Sequence, residues 1–60
     1  MEVYVWFNGG DPEDIVIFLD KEEAISASLK YPTIQIDIFK KAKLGYQLTY
    51  DYYQNGKLYN

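Results

Sequence analysis

The sequence predicts an α+β fold, in which one antiparallel sheet of four to five strands carries a single helix on one face. Apolar residues recur at every second position in several short segments, and this period is typical of strands. One intervening segment combines a capping residue, good helix formers and a terminating proline. A chain of 60 residues has room for one domain, so we expect residues 1–60 to form a single α+β domain.

The first two strands are predicted at residues 2–7 and 15–19. In the first strand, valine or phenylalanine occupies every second position. The second strand is apolar throughout, with β-branched and aromatic residues. The turn between them contains Gly9 and Gly10, which tolerate positive φ angles. Pairing Val5 with Ile17 keeps apolar side chains opposite each other, which favours an antiparallel hairpin.

A helix is predicted over residues 21–31. Asp20 precedes it and Glu23 follows three positions later, the spacing of a capping box. Pro32 ends the helix because it disfavours helical geometry at the residue before it. The predicted buried face of the helix contains Ala24, Ile25, Ser28 and Leu29.

Three more strands are predicted at residues 34–39, 46–53 and 57–59. Asn55-Gly56 between the last two is typical of a type I′ hairpin turn. The predicted register between the third and fourth strands pairs Ile36 with Tyr50, Ile38 with Leu48 and Ile34 with Tyr52.

These elements give the order ββαβββ along the chain and the strand order 2-1-3-4-5 in the sheet. A right-handed crossover places the helix over the first strand. On this register the side chains beneath the helix are those of Val3, Val5, Ile17, Ile36 and Leu48.

The opposite face of the sheet is also apolar at the first two strands, and one helix cannot cover both faces. An exposed apolar patch of this size indicates an interaction site, and aromatic residues dominate interface energetics. The alternatives are that the chain itself folds over the patch or that the register differs by one residue. The residues predicted to contact a partner are Tyr4, Trp6, Val16, Phe18, Phe39, Tyr53 and Leu58.

The composition argues against an enzyme and against a cofactor or a metal site. The chain has no cysteine and no histidine, so it lacks thiolate and imidazole groups for catalysis or metal binding. Asp11, Glu13 and Asp14 do not have the EF-hand spacing and are interpreted as a solvated turn. Asp37 and Asp51 are predicted on one face of neighbouring strands, in an open polar surround that favours no acid–base role. We therefore predict no catalytic residue.

Nucleic-acid binding is kept as an alternative that would use Lys40, Lys41 and Lys43 with the aromatic side chains of the sheet. The net charge of −3 and the absence of arginine weigh against it. The longest apolar run, residues 15–19, is too short to cross a membrane, and the N-terminus does not resemble a signal peptide. We expect a cytoplasmic location and no membrane contact.

The C-terminal two thirds of the chain resembles short uncharacterised proteins of large double-stranded DNA viruses. The most distinctive segment is Tyr50-Asp51-Tyr52-Tyr53-Gln54-Asn55-Gly56-Lys57. The resemblance extends over residues 21–25, 30–32, 36–39, 45–46 and 49–59. It implies a virion component or a small protein directed at the host, and it transfers no functional residue.

The sequence therefore predicts a small non-enzymatic domain that binds another protein or a second copy of itself. A minor structural or assembly role in a virus particle is the particular form that the resemblance implies. A single-stranded nucleic-acid binder and a small inhibitor of a host protein remain as alternatives.

Overall fold

One antiparallel sheet of five strands and one α-helix make up the structure, a computed structural model that describes residues 1–9 and 11–60. The strand order is β2-β1-β3-β4-β5, so the predicted α+β class and strand order are confirmed. A short 3-10 helix, Pro12–Asp14, lies between β1 and β2. The elements are β1 (Glu2–Phe7), β2 (Ile15–Phe18), α1 (Lys21–Lys30), β3 (Ile36–Lys41), β4 (Tyr46–Gln54) and β5 (Lys57–Tyr59).

Helix α1 begins and ends close to the predicted positions. The Asp20 carboxylate accepts a hydrogen bond from the Glu22 backbone N–H at 3.0 Å, which satisfies one free donor of the first turn. The helix ends at Lys30, one residue before the predicted end. Tyr31 has left helical geometry, with φ of −123°, because Pro32 follows it.

The hairpin of β1 and β2 has the predicted register, with Val5 paired with Ile17 and Tyr4 with Phe18. In the turn between these strands Gly9 has a φ of 90°, as predicted for a glycine there. Gly10 lies outside the described residues.

The side of the sheet that faces the helix differs from the prediction in β1 and β2, and Leu48 of β4, also predicted beneath the helix, lies on the opposite side with its partner Phe39. The helix packs on Tyr4 rather than on Val3 and Val5, because Tyr4 is paired with Ile38 and shares its face of the sheet. The core cluster consists of Tyr4, Ala24, Ile36, Ile38 and Tyr53, with Trp6, Phe18, Ile25, Ala27 and Ile34 packed against it.

The size of the side chains explains this choice. The residues that α1 buries completely, Ala24 and Ser28, are small. The sheet therefore has to fill the space beneath the helix, and close packing favours the large rings of Tyr4 and Tyr53 over valine. The two rings lie 6.1 Å apart between centroids.

The predicted register between β3 and β4 is wrong. Ile36 is paired with Tyr53 instead of Tyr50, and Leu48 is paired with Phe39 instead of Ile38. A β-bulge causes the shift, since three residues between Leu48 and Tyr52 face the single residue Ile38 of β3.

The side chain of Thr49 stabilises this bulge. Its hydroxyl donates to the Ile38 carbonyl at 2.8 Å and accepts from the Asp51 backbone N–H at 3.1 Å. Tyr50 between them has a φ of 72°, a left-handed conformation that is unusual for tyrosine.

A buried serine joins the helix to the last hairpin. The Ser28 hydroxyl donates to the Ile25 carbonyl at 2.7 Å and accepts from the Gly56 N–H at 2.9 Å. Asn55 and Gly56 both have positive φ angles, 52° and 75°, which confirms the predicted type I′ turn. A Cβ atom at Gly56 would lie 2.6 Å from Leu29 Cδ2, so the helix and the turn are in close contact.

Ser28→Ala should lower the free energy of unfolding by about 1–3 kcal/mol, because it leaves the Gly56 N–H without its acceptor in a part-buried position. Urea unfolding followed by Trp6 fluorescence measures this change. Ser26→Ala on the exposed side of the same helix is the matched control and should stay within about 0.5 kcal/mol of the original chain. Equal losses for the two variants would contradict the assigned role of Ser28.

Candidate protein-interaction surface

The face of the sheet opposite α1 is not covered by any element in residues 1–9 and 11–60. We call it the uncovered face. The pairings of all five strands define it, since alternate residues of a strand point to opposite sides. Its side chains are those of Val3, Val5, Phe7, Ile15, Ile17, Asp37, Phe39, Lys41, Tyr46, Leu48, Tyr52, Gln54, Lys57 and Tyr59.

Aromatic rings give the centre of the uncovered face a packed surface. The rings of Phe7 and Phe39 lie 6.0 Å apart between centroids, at an angle of 51°. On the same side of β1, Val5 lies between Phe7 and Val3, and Val3 is paired with Phe39. The side chain of Val5 is only 7% exposed. The contact between the two rings therefore shields the middle of β1 from water.

The two margins of the face carry further aromatic contacts. Tyr52 and Tyr59 stack on β4 and β5, with centroids 5.3 Å apart and an angle of 14°. Near the end of β3, Lys41 Nζ lies 5.4 Å from the centre of the Tyr46 ring, a cation–π distance. Both margins of the uncovered face therefore carry an aromatic side chain in contact with a neighbouring residue.

Large apolar side chains on the uncovered face remain open to water. Ile17 is 60% exposed, Phe7 48% and Leu48 38%. Ile17 is paired with Val5 next to Phe7, the ring of Phe7 contacts that of Phe39, and Phe39 is paired with Leu48. The exposed apolar area is therefore continuous rather than scattered. Monomeric soluble proteins rarely leave such an area in water unless it contacts a partner.

Two charged side chains lie on β3 within this apolar surface. Asp37 and Lys41 have Phe39 midway between them in the strand. The Asp37 carboxylate accepts a hydrogen bond from the Gln35 amide at 2.9 Å. A third charged residue, Lys57, lies at the outer strand β5, where it is paired with Gln54.

Most of the residues predicted to contact a partner lie on the other side of the sheet. Tyr4 and Tyr53 are buried in the core, and Trp6 and Phe18 are packed against it. Their predicted exposure is wrong, because the helix covers the face that was expected to be open. Val16 and Leu58 lie on the helix side too, but near the sheet margins, where they are 37% and 54% exposed. Of the predicted residues, only Phe39 belongs to the uncovered face.

The indole ring of Trp6 is shielded by the residue that follows the helix. Tyr31 lies across it with ring centroids 5.6 Å apart. Lys30 Nζ lies 5.5 Å from the centre of the Tyr31 ring. Trp6 therefore reports on folding of the helix side rather than on binding at the uncovered face.

The sequence contains one signal for the correct face. Both alternating sets of β1 and β2 are apolar, so alternation alone does not select the buried one. The small residues of the helix, Ala24, Ala27 and Ser28, indicate that the opposing sheet face carries the larger side chains. Pairing large sheet side chains with these small helix residues would have assigned Tyr4 and Trp6 to the core. It would have assigned Val3 and Val5 to the uncovered face.

The three lysines predicted as a basic patch do not share a surface. Lys41 lies on the uncovered face, while Lys40 is paired with Glu2 and Gln47 and points to the other side. Lys43 lies in the turn between β3 and β4.

The acidic candidates are not assembled into one site either. Asp37 is paired with Tyr52, and Asp51 precedes Tyr52 in the strand, so the two carboxylates point to opposite faces instead of sharing one as predicted. In the part of the chain that the structure describes, no group of three or more acidic residues could hold a metal ion, and no cavity is present.

Comparisons with protein-family models, with curated proteins and with solved structures found no match to this chain. The resemblance to viral proteins therefore stays a prediction. Within the described residues, no helix has the length and apolar character needed to cross a membrane.

Tyr4 makes the stability of the core sensitive to alkaline pH. Burial raises the pKa of the Tyr4 hydroxyl, and the nearby Glu2 carboxylate, which accepts its hydrogen bond at 3.3 Å, raises this pKa further. The unfolded chain then loses this proton at a lower pH than the folded chain. The stability that the neutral Tyr4 hydroxyl contributes is fully present below about pH 10. It is lost as the pH rises through the pKa that Tyr4 has in the folded chain.

Tyr4→Phe should therefore flatten the loss of unfolding free energy above about pH 10. Urea unfolding at a series of alkaline pH values measures it. Tyr50→Phe changes an 80% exposed side chain in the same way and serves as the control, which should keep the alkaline loss. An unchanged pH profile in Tyr4→Phe would contradict the role given to this hydroxyl.

Proposed function

We propose that this chain is a small non-enzymatic domain that binds another protein through its uncovered face. The observation that carries the proposal is the continuous apolar surface formed by β1, β2, β3 and β4, with Ile17, Phe7 and Leu48 open to water. Antiparallel sheets with one solvated face normally carry polar side chains on it. Here most of the side chains on that face are apolar or aromatic.

The size of the domain supports the same proposal. A chain of 60 residues buries only about 60% of the surface that it exposes when unfolded, so its own core gives it little stability. Burial of the uncovered face against a partner adds apolar contact that the single helix does not supply. The partner then contributes to the stability of the folded domain.

The proposed role is binding without catalysis. The chain has neither cysteine nor histidine, and its aspartates at 37 and 51 point to opposite sides of the sheet. We propose a structural or assembly role, in the cytoplasm or in a virus particle, as the form of binding that the sequence resemblance implies. A small inhibitor of a host protein would use the same face.

Site-specific photo-cross-linking in cells that produce the chain tests the proposal. A photoreactive residue at Leu48, on the uncovered face, should give a discrete protein adduct because a bound partner lies against it. The same residue at Leu44, which is 89% exposed in the turn before β4, should give none. Trp6 fluorescence confirms that both chains fold.

The absence of any protein adduct from Leu48 would contradict the proposal, as would the same adducts from both positions. An adduct to a second copy and an adduct to a different protein both support binding through this face. They differ in the identity of the partner, which is read from the mass of the adduct.

A second candidate function is single-stranded nucleic-acid binding. Lys41 lies beside Tyr46 and Phe39 on the uncovered face, and such a combination can stack bases and contact phosphate. Titration with a single-stranded oligonucleotide over a range of salt concentrations distinguishes this function, since release of counterions gives a steep salt dependence. We expect no such binding, because the net charge is −3 and the neighbouring Lys40 points to the opposite face of the sheet.

A further inference from the structure

We propose that the partner of the uncovered face is a second copy of this chain, packed face to face about a twofold axis. This inference rests on the proposed function, since it names the occupant of the same surface. The charges on β3 are the observation behind it. Asp37 and Lys41 have opposite charge and lie at equal distances on either side of Phe39.

A twofold axis between two stacked sheets can run perpendicular to their strands. Each strand then lies over its own copy and runs in the opposite direction. If the axis passes at the level of Phe39, Asp37 of the first copy faces Lys41 of the second, and Lys41 of the first copy faces Asp37 of the second. The symmetry therefore forms two ion pairs from one strand, with the Phe39 rings between them.

The neighbouring strands match this arrangement. Val3 and Leu48 are both paired with Phe39, so the row of residues along the axis is entirely apolar and meets its own copy. Tyr52 is level with Asp37, and Tyr46 is level with Lys41. The same rotation therefore places Tyr52 of one copy over Tyr46 of the other, an aromatic pair on each side of the axis.

Other placements of the axis are less favourable because of the same two charges. An axis at the level of Asp37 would bring the two Asp37 carboxylates together in an apolar interface. An axis that runs parallel to β3, in the interface directly over this strand, would place the two Asp37 side chains opposite each other and the two Lys41 side chains opposite each other. Like charges at such distances repel, and desolvation increases the cost. The charge pattern thus selects one register of the dimer.

The area of the face is sufficient for a specific but reversible dimer. Five strands about 4.8 Å apart and about 20 Å long give a projected face of roughly 480 Å². Two such faces bury about 1,000 Å² in total, which is at the lower limit for a specific interface. We therefore expect association that depends on protein concentration.

Charge exchange on β3 tests the arrangement. Sedimentation equilibrium of the full chain should show a dimer, and Asp37→Lys or Lys41→Asp alone should weaken it by at least about tenfold. The double variant Asp37→Lys with Lys41→Asp restores opposite charges across the axis and should return the dissociation constant to near its original value. Lys43→Asp makes the same charge change outside the uncovered face and should leave the dimer unchanged.

A cross-linking measurement checks the register independently of these charge variants. The chain has no cysteine, so Leu48→Cys introduces a single thiol close to the proposed axis. Facing residues of stacked sheets lie about 10 Å apart, which is too far for a disulfide but within reach of a short bismaleimide. Leu48→Cys should yield a covalent dimer, whereas Leu44→Cys should remain monomeric under the same conditions.

The outcomes separate this inference from the proposed function. A chain that stays monomeric at all accessible concentrations would overturn the second copy as partner, and photo-cross-linking from Leu48 to another protein would still support the interaction role. A dimer that the double charge exchange does not restore, or that gives no bismaleimide product through Leu48→Cys, would overturn the proposed register. Weakening by the single variants with rescue by the double variant supports it.

Discussion

A single helix of ten residues covers a sheet of five strands, and the rest of the structure depends on this ratio. The helix buries small side chains, Ala24 and Ser28, so the sheet face beneath it carries the large rings of Tyr4 and Tyr53. With its one helix placed there, the chain has nothing else among its described elements to cover the opposite face. That face nevertheless is apolar, and we propose that a partner covers it and so completes the layered packing that a sheet requires.

Two local devices hold this arrangement in place. The Ser28 hydroxyl connects the helix to the Gly56 turn, so the helix is anchored to β4 and β5 as well as to the sheet surface. The Thr49 hydroxyl holds the bulge of β4 and keeps Tyr50 in a left-handed conformation that tyrosine rarely adopts. The bulge lets the nine residues of β4 follow the six of β3 while Tyr53 still reaches the core and Leu48 the uncovered face.

The sequence was sufficient to predict the class, the strand order, the helix and the I′ turn at Asn55-Gly56. These features follow from local signals, namely alternation, capping and turn residues. The open face was predicted as a feature, but its residues were assigned to the wrong side. The strands β1 and β2 are apolar on both sides, so their alternation does not select the side that meets the helix, and the match between small helix residues and the large rings of the sheet is needed to select it. The bulge at Thr49 was not predicted, because it depends on a side-chain hydrogen bond to a neighbouring strand.

We propose that two copies of the chain contact each other through the uncovered face and through no other surface. A dilution series of two-dimensional ¹H–¹⁵N NMR spectra tests it most directly, because each backbone amide reports on its own surroundings. We expect concentration-dependent shifts centred on the amides of Val3, Phe39 and Leu48, with the amides of helix α1 unchanged. Shifts concentrated on α1 or on the outer strand β2 alone, or spectra that do not change with concentration, would contradict it.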